Sequence, residues 1–337
     1  EIQVEAAETA AGAVGVICKQ DKIYELIKKA NDIALVCHAN PDGDTLGSGL
    51  ALFFALKKAG RNAEIFCADA PKGKLATLCG AGSVRTDVPS KAFDLAIAID
   101  CSDINLLASH AYILRKARVA ACVDHHVSNN DYADFTFVER GVAAAAQPVY
   151  KLIKLILKEK ALDLTIAELL YTALVTDSGA FAFSSVTGET MRMAGELLDL
   201  GVRGDKIIEF FMRDVRPEVF ALATRVLNKA EFFEDGKIGL IIFSQEDFEA
   251  TGTDLSDTTG IINNIRDVEG VFIAVSLTQA AKNEYKVSIR TDEHADANRI
   301  AAVFGGGGHA RAAGCRTYGY FEDVKEKVLK ACRDHLE

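Results

Sequence analysis

Apolar and polar positions along this chain follow two rhythms. Short runs that are apolar or β-branched, at residues 33–37, 63–67, 95–100 and 119–124, read as strands. Between them the pattern changes to helical spacing, as at residues 21–30, 46–59 and 105–116. Alternation of this kind predicts crossover units, hence an α/β fold with a doubly wound, mainly parallel sheet. Helical runs follow at 143–159 and 165–176, the second opened by the capping box Thr165-x-x-Glu168. Further helical runs at 189–200, 206–212 and 217–228 carry no readable chemistry and predict a helical connector. A second region then alternates strands at 238–243, 271–277 and 285–290 with helices near 258–265, 296–303 and 321–335. It predicts a smaller α/β domain with a mixed sheet. The chain thus divides into a first domain over 1–190, a connector over 191–228 and a second domain over 229–337.

A length of 337 residues is ample for two cores, and 49% hydrophobic with 26% charged residues describes an ordinary globular protein. No apolar run approaches the ~18–20 residues of a membrane span. The apolar stretch at 10–18 follows acids rather than a basic segment, so no signal peptide is predicted and a cytoplasmic location is expected. None of the eight cysteines falls in a C-x-x-C spacing, and Cys37, Cys101 and Cys122 sit in or beside strand runs; free thiols in a reducing compartment are expected. A net charge of −10 argues against a broad grip on long duplex nucleic acid, though not against a small phosphate substrate in a locally positive pocket.

The chemistry gathers at the ends of the strand runs, where ligands of parallel sheets collect. His38-Ala-Asn-Pro-Asp-Gly-Asp44 follows the first run, and Pro41 and Gly43 turn it sharply. Its simplest reading is an Asx-rich turn capping the next helix. Asp100 closes a later run, Asp124-His125-His126 another, and Asp177 ends the helix over 165–176. The carboxylates of Asp42, Asp44, Asp100 and Asp177 would repel one another unless two divalent cations neutralised them. With His38, His125 and His126, the donor set suits Mn²⁺ first, with Mg²⁺, Fe²⁺, Co²⁺ or Zn²⁺ as alternatives. Two such ions ~3.5–4 Å apart form the usual arrangement for hydrolysing phosphate esters. Near the other end, Gly305-Gly306-Gly307-Gly308 can turn successive amides into an anion-binding nest, with Arg311 and Arg290 adding charge-assisted contacts.

The segments His38-x-Asn-Pro-Asp-Gly-Asp44, Ile99-Asp100, Asp124-His-His126 and Thr176-Asp177 resemble, in order, the motifs of the DHH phosphoesterase family. Gly305-Gly-Gly-Gly-His-Ala-Arg-Ala-Ala-Gly314 resembles the signature of its associated C-terminal domain. The resemblance implies that the first domain is catalytic and metal-binding. His38 and Asp42 would hold one metal, Asp44, His125 and Asp177 the other, and Asp100 would bridge them. His126 would attend the scissile phosphate, and Asp124 would support the metal shell. The glycines, His309, Arg311 and Arg290 would grip the nucleotide end of a substrate in a cleft between two domains. The branch resembled is that of bacterial bifunctional oligoribonucleases, which also act on 3′-phosphoadenosine 5′-phosphate. It implies hydrolysis of short single-stranded RNA or DNA oligonucleotides or small nucleotides by a water that two metals activate. Linear or cyclic dinucleotides are the alternative substrates, and a nucleotide-binding regulator with weak catalysis is the rival of another class. Departures from the family are Ala143-Ala-Ala-Ala-Gln147, where Ser/Thr residues and a glutamate are usual, and Leu106 and Ala182, where arginine is common. The sequence leaves the oligomeric state open, a homodimer included.

Overall fold

The computed structural model describes residues 6–8, 14–158 and 161–336. The chain forms two compact units, Glu1–Asp214 and Val215–Glu337. In the first, β1 (Ala6–Glu8), β2 (Val14–Ile17), β3 (Asp32–Cys37), β4 (Asn62–Cys67), β5 (Val84–Arg85), β6 (Leu95–Ile99), β7 (Ala120–Asp124) and β8 (Phe135–Val138) form one sheet. Its order is β1-β2-β8-β7-β6-β3-β4-β5, and all pairings are parallel except β1 with β2.

The central strands are apolar throughout because both faces are covered. Ile33, Leu35 and Ile97 face a core built with α1 (Gln20–Lys29), α2 (Gly43–Lys58), α4 (Ala146–Leu157), α5 (Leu164–Asp177) and α6 (Gly188–Asp199), beside which α7 (Gly204–Ile208) packs. Ala34, Val36 and Ala98 face a smaller core under α3 (Ala111–Lys116) and the 3₁₀ turn Ile104–His110. The sheet is therefore doubly wound, as expected. From β3 the chain steps to β4 on one side, then returns to β6 on the other. The carboxyl ends of β3 and β6 adjoin at this reversal, the place where such sheets leave a crevice.

Several boundaries differ from expectation for local reasons. The predicted helix over 105–116 is broken at Ala108, whose φ of 50° is left-handed. Helix α5 is capped not by the Thr165 box but by Asp163, which accepts from Ile166 N at 3.0 Å. The helix predicted over 206–212 ends at Ile208 and continues as a π-helical turn, Glu209–Arg213. The helix near 258–265 is only a 3₁₀ turn, Leu255–Thr258, and the short α10 (Asn263–Arg266).

The second unit has a mixed sheet of order β13-β14-β12-β11-β10-β9. Its strands are β9 (Glu231–Phe233), β10 (Ile238–Phe243), β11 (Ile273–Ala281), β12 (Glu284–Thr291), β13 (Gly307–His309) and β14 (Ala312–Tyr318), and only β10 and β11 pair in parallel. One face packs on α11 (Ala297–Ala302) and α12 (Phe321–Asp334). The other is covered at β10 and β11 by α8 (Pro217–Leu227), α9 (Gln245–Thr251) and α10. Strand β14 and the pairing of the glycine run were not anticipated. Among the described residues no helix is long and apolar enough to cross a membrane.

Candidate metal centre

Four segments deliver the site. His38 follows β3, and its Nδ1 donates to Ala39 O at 2.8 Å, which presents Nε2 to Asp42 (3.8 Å) and Asp100 (3.7 Å). Asp42 is the N-cap of α2: its Oδ1 accepts from the amides of Asp44 (3.0 Å) and Thr45 (2.9 Å), and Oδ2 faces His38. Asp100 leaves β6 at a φ of 55° and is buried. A non-glycine residue held in that region is strained, and such strain concentrates at functional sites. Its neighbours are the imidazoles of His38, His125 (Nε2, 3.5 Å) and His126 (Nδ1, 3.5 Å), and its Oδ1 accepts no hydrogen bond among the described residues.

Close packing brings the remaining acids in. A Cβ on Gly43 would lie 2.4 Å from Thr176 Oγ1, and one on Gly47 would lie 2.7 Å from Leu169 O. Only glycines let the start of α2 and the end of α5 approach this closely, and Asp44 and Asp177 arrive together as a result. Asp44 accepts from Ala145 N (2.5 Å) and Ala146 N (3.1 Å) at the start of α4, and from Ser48 Oγ (2.8 Å). His125 binds Val142 O through Nδ1 at 3.1 Å and points Nε2 toward Asp177 (3.4 Å), Asp100 and Asp44 (3.9 Å). Asp124 accepts from His126 Nδ1 at 2.7 Å and from Asn129 Nδ2 at 2.6 Å.

Three donor sets among the described residues have their ligand atoms within 4.8 Å of one another: His38, Asp42 and Asp100; Asp44, His125 and Asp177; and, overlapping both, Asp100, Asp124, His125 and His126, in which Asp124 is already engaged by His126 and Asn129. Asp100 also lies beside His125, so it stands between the first two. Among the described residues no lysine or arginine pairs with Asp44, Asp100, Asp124 or Asp177; imidazoles are their only cationic neighbours. Burial pulls the His38 imidazole down, but Asp100 and Asp42 outweigh it and push it up to about 12. Burial likewise opposes protonation of His125, and Asp100, Asp44 and Asp177 push it up to about 11. Asp44 is held well above the usual carboxylate range by burial and then by Asp100 and Asp177. Burial raises Asp177, His125 lowers it, and Asp100 and Asp42 bring it to about 7. Protons are thus standing in for missing positive charge. A set of carboxylate oxygens and imidazoles, one buried oxygen lacking any donor, fits hard to borderline divalent cations.

Sequence reasoning missed Ser48, Asn129 and the α4 amides. Ser48 lies one helical turn beyond Asp44, a spacing that could have flagged it. At the departure over residues 143–147, the backbone amides of Ala145 and Ala146 hold Asp44 without side-chain hydroxyls. Leu106 is exposed, and its carbonyl accepts from Ala39 N at 2.8 Å.

The residues assigned to substrate binding lie in the second unit. Arg290 and Gly307 line a pocket of about 350 Å³ on the sheet face away from α12, with Thr258, Gly260 and Ser288. Burial lowers the pKa of Arg290, whose Nη1 donates to Ile289 O at 3.0 Å. The nest expected from the glycines does not form. The amides of Gly305, Gly306 and Gly308 already donate, at 3.0 Å, to Ala302 O, Ala301 O and Asn298 Oδ1. What these glycines provide is close approach: a Cβ on Gly306 would lie 2.3 Å from Gly314 O. Arg311 braces a loop, donating from Nη1 to Asp292 O and Ala295 O. His309 pairs through its backbone with Ala312, and its side chain lies outside the described residues.

Residues 32–174 match the N-terminal domain of the DHH family, and residues 239–337 match the DHHA1 domain. The chain is 30% identical over 325 residues to the bifunctional oligoribonuclease and PAP phosphatase NrnA of Thermus thermophilus, which covers 94% of each chain. It is 23% identical over 320 residues to the protein of the same name from Bacillus subtilis, covering 93% of this chain and 99% of that one. Among solved structures, an exopolyphosphatase-related protein from Bacteroides fragilis shares the fold with a TM-score of 0.87 at 22% identity, over 94% of this chain and 95% of that one.

Proposed function

We propose, for a chain that belongs to the DHH family and is a hydrolase of phosphoester bonds, that its substrates are short single-stranded oligonucleotides and 3′-phosphoadenosine 5′-phosphate. The observation that carries this reading is the pair of donor sets joined by Asp100, whose carboxylates have no lysine or arginine among the described residues to balance them. Two divalent cations, Mn²⁺ first, would neutralise that charge, polarise phosphoryl oxygens and make a water nucleophilic near neutral pH. His38, Asp42, Asp44, Asp100, His125 and Asp177 are the residues that would hold them, with Asp100 shared.

The other groups then have distinct work. Asp124 and Asn129 fix the ring of His126, so that His126 meets the phosphate in a set orientation and serves as the general acid–base group there. Arg290, with the small residues about Gly307, receives the nucleotide end, where a charge-assisted contact fixes orientation. The protein's free thiols support a reducing, cytoplasmic setting: all eight cysteines are unpaired.

A hydrolysis panel with Mn²⁺ tests the reading: dinucleotides to pentanucleotides, 3′-phosphoadenosine 5′-phosphate, linear and cyclic di-AMP, and pyrophosphate. Turnover of the short oligonucleotides and of 3′-phosphoadenosine 5′-phosphate is expected. Turnover confined to di-AMP would move the substrate to the dinucleotide alternative, and tight nucleotide binding without turnover would establish the regulator.

A further inference from the structure

Asp100 stands between two donor sets in a conformation that a non-glycine residue seldom keeps, with a φ of 55°. Such strain persists only where the surroundings over-determine it. The groups that grip the chain on either side of Asp100 therefore carry the geometry of the centre. On the amino side the grip is that of the sheet: Asp100 N donates to Val123 O at 3.0 Å, and Ile99 O accepts from Thr45 Oγ1 at 3.1 Å. Beyond Asp100 the strand has ended, and side chains take over. The carbonyl of Cys101 accepts from Tyr132 Oη at 3.0 Å and from Asn129 Nδ2 at 3.3 Å, with the Cys122 thiol, a weak donor, at 3.5 Å. Two strong donors match the two lone pairs of a carbonyl oxygen, so this peptide has little freedom to turn.

Tyr132 comes from the connection between β7 and β8, and its ring ties that connection to the strand end that presents Asp100. It is buried in the smaller core with Cys101, Leu107 and Cys122. Burial pushes its phenol pKa well up, so the hydroxyl is a neutral donor. A buried phenol needs a partner, and any carbonyl lining the core would meet that need. The one it meets belongs to the residue that follows Asp100. Asn129 divides its amide between this carbonyl and Asp124 Oδ2, its closer partner at 2.6 Å. The Tyr132 hydroxyl is not divided in this way: its only other neighbour among the described residues is Cys122 Sγ at 3.6 Å.

We propose that Tyr132 is a positioning residue for Asp100: its hydroxyl holds the Cys101 carbonyl and so keeps Asp100 in the left-handed conformation from which its carboxylate faces His38 on one side and His125 on the other. The inference rests on the metal reading above and deepens it. Without the hydroxyl the peptide after Asp100 can turn, the backbone relaxes toward an ordinary φ, and the carboxylate leaves the place between the two imidazoles. Removing the hydroxyl leaves the fold intact, because the ring still fills the core and Asn129 still serves the carbonyl.

Tyr132→Phe in the full chain decides the matter, with Mn²⁺ as the probe. Titration followed by the paramagnetic resonance of free Mn²⁺ is expected to show affinity weakened about tenfold to a hundredfold, the range for a group that orients a metal ligand from outside. In the loaded protein, the spectrum of two coupled ions should give way in part to that of separate ions. Melts with EDTA and with Mn²⁺ keep the test valid if the variant is less stable: the gain in melting temperature from the metal should be smaller than in wild type. Tyr150→Phe, which removes the hydrogen bond of another buried phenol, to Glu196, is the control and should leave affinity and spectrum unchanged. Wild-type affinity and spectrum in Tyr132→Phe, or an equal loss in Tyr150→Phe, would overturn the assignment. A wild-type chain that binds no pair of ions would overturn it together with the metal reading. A wild-type chain that binds the pair but hydrolyses no nucleotide would remove the substrate reading and leave the role of Tyr132 standing.

Discussion

Asp247 in the second unit and Asp100 in the first are both sequestered, at 1% and 3% exposure, but they are satisfied in opposite ways. Asp247 receives Arg225 Nε at 2.6 Å, Lys229 Nζ at 2.9 Å and Ser244 Oγ at 2.7 Å, so the fold carries its own countercharge. Asp100 has imidazoles at 3.5 Å and beyond, and one oxygen without a donor among the described residues. A buried carboxylate is tolerated only when paired or bound to a metal. The chain pairs Asp247 completely. Around Asp100 it gathers further acids instead, an arrangement whose charge divalent cations from outside would balance.

The largest test removes the shared carboxylate. Asp100→Ala is expected to lower hydrolysis by several orders of magnitude and to lower occupancy of both metals together, because the proposed function makes Asp100 the residue that the two metals would share. Metal analysis of the purified variant beside its turnover checks this; normal metal content with near-normal rates would sink the assignment. His126→Ala should cost less, about 10²- to 10⁴-fold in kcat, with metal content unchanged and KM little affected. Loss of a metal in that variant would mean that His126, not His125, is the ligand.

Stability sharpens the same contrast. Asp247→Asn is expected to destabilise the protein by about 2 kcal/mol, since Arg225 and Lys229 lose a charged partner. In chelated protein, Asp177→Asn should have the opposite sign or none, because it removes one of three carboxylates crowded about His125. Burial raises the Asp247 carboxyl, but Lys229, Ser244 and Arg225 outweigh burial and hold it well below the usual range. A folded value below the unfolded one of about 3.9 means stabilisation that is complete above about pH 4 and fades as pH falls toward the folded value. The gap between wild type and Asp247→Asn should therefore be narrower at pH 3 than at pH 7 in denaturant melts.

Much of this was legible in the sequence where one residue type carries the physics by itself. Apolar runs gave β3, β4, β6 and β7, and acids at their carboxyl ends marked the crevice at the sheet's reversal. The parts that were not legible depend on backbone or on distant partners. Ala145 and Ala146 hold Asp44 through amides, which no side-chain letter announces. Asn129 matters through Asp124, a partner visible only after the turn that follows β7 has folded. In β14, Ala-Ala-Gly-Cys-Arg-Thr-Tyr has too weak an alternation to read as a strand, so its pairing with Gly307–His309 was hidden and the glycines looked like a loop.

The smallest expected effect separates two adjacent glycines that the sequence treats alike. A Cβ on Gly306 would meet Gly314 O at 2.3 Å and Cys315 Cβ at 2.4 Å, so Gly306→Ala must push β14 aside and should lower stability whatever the substrate. A Cβ on Gly307 would meet only Asn298 Oδ1, at 3.5 Å, an ordinary contact, while narrowing the pocket lined by Arg290. Gly307→Ala should therefore melt like wild type but raise KM for a dinucleotide about threefold to tenfold, the range spanned by one weakened contact. Bis-p-nitrophenyl phosphate has no nucleotide to seat, so its hydrolysis by Gly307→Ala should stay near the wild-type rate. If both substrates fall equally in a variant that melts normally, the pocket does not recognise the nucleotide and the second unit's role must be sought elsewhere.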